Sequence, residues 1–457
     1  MSRYETYKPS GIDWIGEVPT HWEVKRLKNI ILNDIGGLWG DEPADDENDI
    51  IVLRVADFDR TSSRIIDNPD FTYRNIKASQ LDGRLIKQGD ILLEKSGGGE
   101  QQPVGKAVLF DKDFRAVTSN FINKIETIPS VNNYFALYLF DALYYNNINV
   151  RNIKQTTGIQ NLDNTGFFAE KISLPPTTEQ LTIANYLDDQ TQKIDRLIAN
   201  KKAQAEKLKE LRQIEINNAV TKGLNPNAEM KDSGIEWLGK IPKHWTTKRM
   251  KDVASVRGRI GFRGYTVDDI VDEGALVIGA KHINSSNQLN FDDPEYISWE
   301  KYYESPEIMV EVGDVLIVQR GSVGKFALVE KEIGPATINP SMILLRLNTR
   351  IHPQFLFWYL LGEHMFNIIK TIVSSTAVPM ISQMQAGVFR IILPPKKEQI
   401  EIANYLMERT AAIDQLIKNI EAQIEKLQEL RKIKIYEAVT GKICLNQDFQ
   451  DARINRI

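Results

Sequence analysis

A chain of 457 residues with 42% hydrophobic and 9% aromatic side chains can fill two to four packed cores, which excludes wholesale disorder. Its 57 Lys and Arg against 61 Asp and Glu give no overall basic character, so a basic groove would require acids gathered elsewhere, as in Asp41–Glu47. The single cysteine, Cys444, excludes an internal disulfide and a cysteine zinc site, and the five histidines show no metal-binding spacing.

The N-terminus has no basic start leading into an apolar run, and no apolar stretch reaches the roughly 20 residues that a membrane helix needs. The expectation is a cytoplasmic protein with no membrane segment and no metal. The first element in chain order is Lys8–Trp22, which carries Ser10-Gly11-Ile12, Trp14, Gly16, Pro19 and His21-Trp22. The glycine loop Asp34–Gly40 follows. Short β-type runs at Ile50–Val55 and Asp90–Leu93, separated by Gly, Asn and Asp, then predict a compact α+β domain.

Two segments of this domain have the composition of a nucleic-acid contact, where Arg and Lys suit guanine, Asn and Gln suit adenine, and small polar groups hold phosphates. The first is the glycine-rich loop with Lys95, Ser96, Gly97, Gln101, Gln102 and Lys106, whose glycines permit close backbone approach. The second is the acid-free stretch 146–161, with Arg151, Lys154, Gln155, Thr156 and Thr157 as candidate contacts. Either could also be an ordinary solvated loop.

Leu174-Pro175-Pro176 closes the domain, because paired prolines cannot sit inside a helix, and a long helix starts directly afterwards near Thr177 or Thr178. Ile183, Leu187, Ile194, Leu197, Leu208 and Leu211 recur on two positions of a seven-residue period, the signature of a coiled-coil seam. From Glu179 to Ala219 such a rod is about 60 Å long.

The chain then begins again. Lys231–Trp245 repeats Lys8–Trp22, displaced by 223 residues, and Leu393–Leu406 repeats Leu174–Leu187, displaced by 219. Between them lie β-type runs at Asp314–Val318 and Met342–Leu347 and a second set of candidate contacts. These are Arg257, Arg259 and Arg263; Gln319, Arg320, Ser322 and Lys325; and Ser374, Ser375, Thr376 and Gln383. The second helix carries Ile402, Leu406, Ile413, Leu416, Ile420, Leu427 and Leu430 as its seam, flanked by Ile417 and Ile424.

The copies keep one frame and differ in its loops. Acidic Asp34–Gly40 stands opposite basic Arg257–Arg263, and Gly89 to Gly105 spans 16 positions where Gly313 to Gly324 spans 11. The fold class expected is α+β, with two mixed α/β recognition domains joined by two long antiparallel helices in a coiled coil and a pseudo-two-fold internal repeat. The boundaries read as domain 1 at 1–173, helix 1 at 174–222, domain 2 at 223–392, helix 2 at 393–443 and a tail at 444–457. Paired domains on such rods suit the reading of two short DNA segments across an unread gap.

The Ser-Gly-Ile-x-Trp-x-Gly-x-x-Pro-x-His-Trp opening, the Leu-Pro-Pro-x-x-Glu-Gln helix start and the doubled layout resemble type I restriction-modification specificity subunits, over residues 8–443. That resemblance implies a non-catalytic DNA-binding adaptor in which each domain reads half of an asymmetric bipartite site on double-stranded DNA. It further implies helices that set the spacing and dock two methyltransferase subunits, which methylate adenine N6, with restriction/translocase subunits joining the full complex. S-adenosylmethionine, ATP and magnesium are then expected in the partner subunits only. Rival enzymatic readings fail on their own motifs. Asn339-Pro340-Ser341-Met342 lacks the second proline and the aromatic residue of an adenine methyltransferase. Gly99 stands one residue too far from Gly105-Lys106 for a P-loop, and Ala107 replaces its Ser or Thr. A pure coiled-coil scaffold is the remaining rival, and it predicts no sequence-selective DNA binding.

Overall fold

The computed structural model describes residues 3–445 apart from 68–69, 157, 236, 260–263 and 375–379, and gives only the backbone of 156, 373 and 374. The chain forms two compact units, Met1–Ala203 with Glu421–Ile457, and Gln204–Ile420. Both unit boundaries fall inside the two long helices rather than at the helix starts and ends read from the sequence. The helices in chain order are α1 (Asn133–Tyr145), α2 (Asn164–Ala169), α3 (Thr177–Lys222), α4 (Trp299–Tyr303), α5 (Pro353–Leu360), α6 (Glu363–Ser374), α7 (Gln383–Val388) and α8 (Lys396–Val439). No helix among the described residues is long and apolar enough to cross a membrane.

In unit 1 an opening hairpin of Tyr7–Ile12 and Gly16–Pro19 is followed by the strand Glu23–Arg26, which pairs antiparallel with the closing strand Lys171–Leu174. Between them a six-stranded sheet runs in the order Ile31–Gly36, Ile122–Thr127, Ile91–Glu94, Ala107–Leu109, Arg64–Ile65 and Phe58–Asp59. A second sheet sets Asp49–Leu53 between Ala116–Thr118 and Tyr73–Asn75. Unit 2 repeats this frame. Thr246–Arg249 pairs with Arg390–Leu393, and a four-stranded sheet orders Ala254–Arg257, Met342–Leu347, Val315–Val318 and Phe326–Leu328. The β-type runs of the sequence all form strands, and their central residues are buried because the sheets are covered.

The repeated motifs have a common purpose. Trp22 and Trp245 are fully buried, and each donates its indole N–H to the glutamate of the helix start, Glu179 at 3.0 Å and Glu398 at 2.9 Å. The neighbouring His21 and His244 meet the other oxygen of the same carboxylates at 2.6 and 2.7 Å. The next residue, Gln180 or Gln399, accepts the backbone N–H of Asn132 or His352, locking the loop before α1 or α5. The His-Trp and Glu-Gln pairs are thus two halves of one clamp. Gly441, just past α8, packs on Trp22, and Gly223, just past α3, packs on Trp245. Each tryptophan therefore joins the start of one long helix to the end of the other. Trp14 is half-buried beside Tyr436, whereas Trp237 is exposed and stacks on His364.

The long helices contribute to both units. The first half of α3 (Ile183, Leu187) shares the unit 1 core with the end of α8 (Ile435, Ala438, Val439). The end of α3 (Ile216, Ala219, Val220) shares the unit 2 core with the start of α8 (Ile402, Leu406). Arg431 pairs with Asp195 at 3.1 Å in unit 1, and Arg212 pairs with Asp414 at 2.9 Å in unit 2. These are the same repeat positions with the helices exchanged.

Ile194 and Ile413 are buried, Leu208, Ile420 and Leu427 are half-buried, and Ile417 and Ile424 join this stripe rather than flank it. Leu197, Leu211, Leu416 and Leu430 are corrected. They are exposed, because a helix of 3.6 residues per turn drifts off a strict seven-residue repeat, and Ile198 and Arg431 take the inner positions instead.

His364 supplies a pH-dependent element of unit 2. Burial beside Tyr359 and Trp237 pushes it down to about 4. A histidine held neutral in the fold but free to charge in the unfolded chain contributes stability above about pH 6.5, which is lost as pH falls toward 4. Thermal melting of His364→Gln should therefore show a shallower loss of unit 2 stability across that interval than the unsubstituted chain. An unchanged slope would place the acid sensitivity elsewhere.

Candidate nucleic-acid interface

The two candidate segments of unit 1, far apart in sequence, form a single small sheet. Ser96-Gly97 of the glycine loop pairs with Gln160-Asn161, which in turn pairs with Ile153–Thr156. Side chains complete the join: Ser96 Oγ donates to Asn161 Oδ1 at 2.7 Å, and the Gln160 side chain accepts the Val104 N–H at 3.1 Å. A third segment arrives from the end of strand Ile31–Gly36. Asp34 accepts from Asn123 at 2.5 Å and Asn164 at 3.1 Å, and the Lys95 ammonium lies beside Gly36.

Unit 2 brings the corresponding three segments together. Arg320 bridges Met380, Ile381 N–H donates to the Gln319 carbonyl at 3.0 Å, and the Gln383 side chain lies against Gly258. A concavity of about 390 Å³ opens there, lined by Arg259, Gln319, Arg320, Met380, Gln383 and Met384.

The candidate residues divide by exposure. Gln101, Gln102, Arg151, Lys154 and Gln155 are exposed in unit 1, with Lys95, Ser96 and Gly97 half-buried. Lys154 holds Asp163 at 2.8 Å, and that hydrogen bond keeps the Asp163 carboxyl below its ordinary value. In unit 2, Arg257, Arg320, Ser322 and Gln383 are exposed, and half-buried Lys325 donates to the Ile283 carbonyl at 3.2 Å. Thr157, Arg263, Ser375 and Thr376 lie outside the described residues, as do the side chains of Thr156 and Ser374.

Three candidates are corrected from contact to support. Lys106 is buried and its ammonium engages Ser63 and Asp141. Arg259 is buried, donating to the Ile338 carbonyl at 3.2 Å and Thr337 Oγ1 at 3.1 Å. Gln319 is buried and donates to the Pro340 carbonyl at 2.7 Å. Each lies at the inner foot of its loop, where buried carbonyls and carboxylates demand donors.

The sequence reading passed over Met384, which is 81% exposed on the rim of the unit 2 concavity and offers an apolar contact of the kind a thymine methyl takes. It also passed over Arg60, which donates to buried Glu94 at 3.1 Å beneath the glycine loop. Burial pushes the Glu94 carboxyl up against the pull of that guanidinium. No local pattern marks Arg60, since its partner lies 34 residues away.

Comparison with known proteins agrees with this layout. Residues 19–207 and 242–426 each match the family described as type I restriction modification DNA specificity domain. The type I restriction enzyme MjaVIII specificity subunit of Methanocaldococcus jannaschii is 24% identical over 368 residues, covering 79% of this chain and 80% of that protein. The StySPI specificity subunit of Salmonella potsdam is 23% identical over 372 residues, covering 79% of this chain and 76% of that one. Among solved structures, a chain from work on complex assembly and conformational transition of the type I R-M system superposes with a TM-score of 0.70 at 16% identity, over 93% of this chain and 99% of that one. The HsdS subunit from Thermoanaerobacter tengcongensis gives 0.51 at 16% identity, over 93% and 98%. These structural likenesses concern the fold.

Proposed function

Since the chain belongs to the type I restriction-modification DNA specificity family, we propose that it directs a methyltransferase to an asymmetric, bipartite DNA site without performing chemistry itself. Each unit reads one half of the site in double-stranded DNA through its three convergent segments. The observation that carries this reading is the pairing of one frame with two different surfaces. Asp34, Ser96 and Asn161 in unit 1 stand where unit 2 presents Arg257, Arg320 and Met380 on the same strands and loops. Identical surfaces would read a palindrome, and different ones read an asymmetric sequence.

The long helices, pairing as an antiparallel coiled coil, act as the ruler between the half-sites and as the dock for two methyltransferase subunits. Support comes from apolar side chains that both helices leave exposed at equivalent repeat positions: Leu181 and Ile400, Leu197 and Leu416, Leu211 and Leu430, Ile214 and Ile433. Apolar groups exposed twice over at matched positions suit two copies of one partner. In this scheme S-adenosylmethionine, ATP and magnesium belong to the methyltransferase and restriction/translocase partners.

Methylation-sensitive sequencing of DNA from cells with and without this chain tests the proposal. The expected result is an interrupted, asymmetric adenine-methylation motif that disappears on deletion; an unchanged methylome would refute it.

A further inference from the structure

A polar cluster lies buried beneath the glycine loop of unit 1. Lys106 is 1% exposed, and its ammonium donates to Ser63 Oγ at 2.7 Å and to the carboxylate of Asp141 on α1, which is wholly buried. Ser63 also donates to that carboxylate, at 2.8 and 2.9 Å from its two oxygens. Arg431 of α8 lies 4.0 Å from Asp141 and holds Asp195 of α3. Burial works to lower the Lys106 ammonium against the opposing pull of Asp141.

The adjoining loop residues are held from the same floor. Arg60 reaches Tyr144 Oη at 3.0 Å, Tyr144 donates to the Pro103 carbonyl at 3.0 Å, and Asn149 donates to the Val104 carbonyl at 2.7 Å. Gly105 runs so close above this floor, at φ +108°, that a Cβ there would sit 2.8 Å from the Asn149 side chain.

Unit 2 keeps the loop but not the floor. Lys325, the counterpart of Lys106, turns to the Ile283 carbonyl. Counting from the matched caps Asn132 and His352 of α1 and α5, Leu361 stands where Asp141 does, and Gly324 lies against apolar Ile369. A buried ion pair is often no more stable than an apolar replacement, because desolvation offsets the attraction. What such a pair supplies is a single geometry, since a displaced ammonium would be left buried and unpaired.

We propose that the Lys106–Asp141 pair is a positioning device that holds the longer glycine loop of unit 1 in its reading conformation, which makes Lys106 a specificity-determining residue for one half-site only. This rests on the DNA-reading function proposed above.

The test uses the chain assembled with its methyltransferase subunits, as the unsubstituted protein, as Lys106→Met, and as Lys106→Met with Asp141→Leu, which copies the apolar choice of unit 2. Methylation rates are measured on duplexes carrying single base changes in either half of the site, alongside thermal melting. The paired variant is expected to melt with the unsubstituted chain and to keep its discrimination in the unit 2 half. In the unit 1 half its discrimination should fall by about tenfold or more, the worth of one well-placed base contact. Full discrimination retained in both halves would overturn the proposal. So would an equal loss in both, or outright unfolding of unit 1 by the paired variant, which would assign the pair to stability. An unsubstituted complex with no sequence preference would instead refute the DNA-reading function, and this inference with it.

Discussion

Trp22→Ala is expected to lower the stability of unit 1 by about 3–5 kcal/mol, the usual cost of deleting a fully buried aromatic side chain. Three structural joins meet on this residue. Its indole donates to Glu179 at the start of α3, its ring packs edge-on to Tyr4 at 5.9 Å, and Gly441 beyond the end of α8 closes over it. Removing the ring opens a cavity and also leaves one oxygen of the Glu179 carboxylate with only the Tyr4 hydroxyl. Gly441→Ala should act on the same joint from the other side. Its φ of +70° disfavours any side chain, and the new Cβ would lie 2.4 Å from Pro19 and 3.2 Å from the Trp22 ring. Amide hydrogen exchange resolved by residue would measure the effect. Protection should collapse in strands 91–94 and 122–127 of unit 1 while strands 315–318 and 342–347 of unit 2 stay protected. Equal loss in both would show that the units fold as one cooperative body.

Under the proposed docking of two methyltransferase subunits, glutamate at both Leu197 and Leu430 should remove one copy and leave the other. Both side chains belong to unit 1 and stand exposed on α3 and α8, at 49% and 40%. Substitution of exposed residues costs the fold little, within about 0.5 kcal/mol each. A charge forced into an apolar interface centre costs about 2 kcal/mol or more per anchor, so two of them should weaken that dock by several hundredfold. Native mass spectrometry of the assembled complex would then show one methyltransferase per chain, against the two proposed for the unsubstituted chain. The matched pair in unit 2, Leu211 and Leu416, should produce the same count independently. Loss of both copies from a single pair, or retention of both, would refute two equivalent docks.

Leu197 and Leu430 also show where a sequence pattern misleads. A seven-residue count sorts them with Ile194 and Leu427, yet they are exposed while Ile198 and Arg431 are buried, Arg431 against Asp195 of α3. The count is ambiguous because adjacent positions on a helix differ by only 100°. Lys106, Arg259 and Gln319 mislead in another way. Composition made them contacts like their neighbours, but whether a loop residue turns outward or inward depends on groups brought from elsewhere in the chain. Asp141 is what draws Lys106 inward, and it lies 35 residues away on another element.

The sequence by itself determined the doubling of the chain, the order of elements within each copy, the sites of the long helices and the segments that differ between copies. These rest on local terms: repeat identity, the period of apolar residues, and prolines that stop one element before the next begins. Only the tertiary structure decided that the His-Trp and Glu-Gln pairs are one clamp, and that the glycine loop and the 146–161 stretch form one surface. It alone decided, too, which charged residues lie beneath that surface rather than on it. The physical reason is the same in each case. A buried hydrogen bond or ion pair joins residues by their distance in space, and nothing in the spacing along the chain records it.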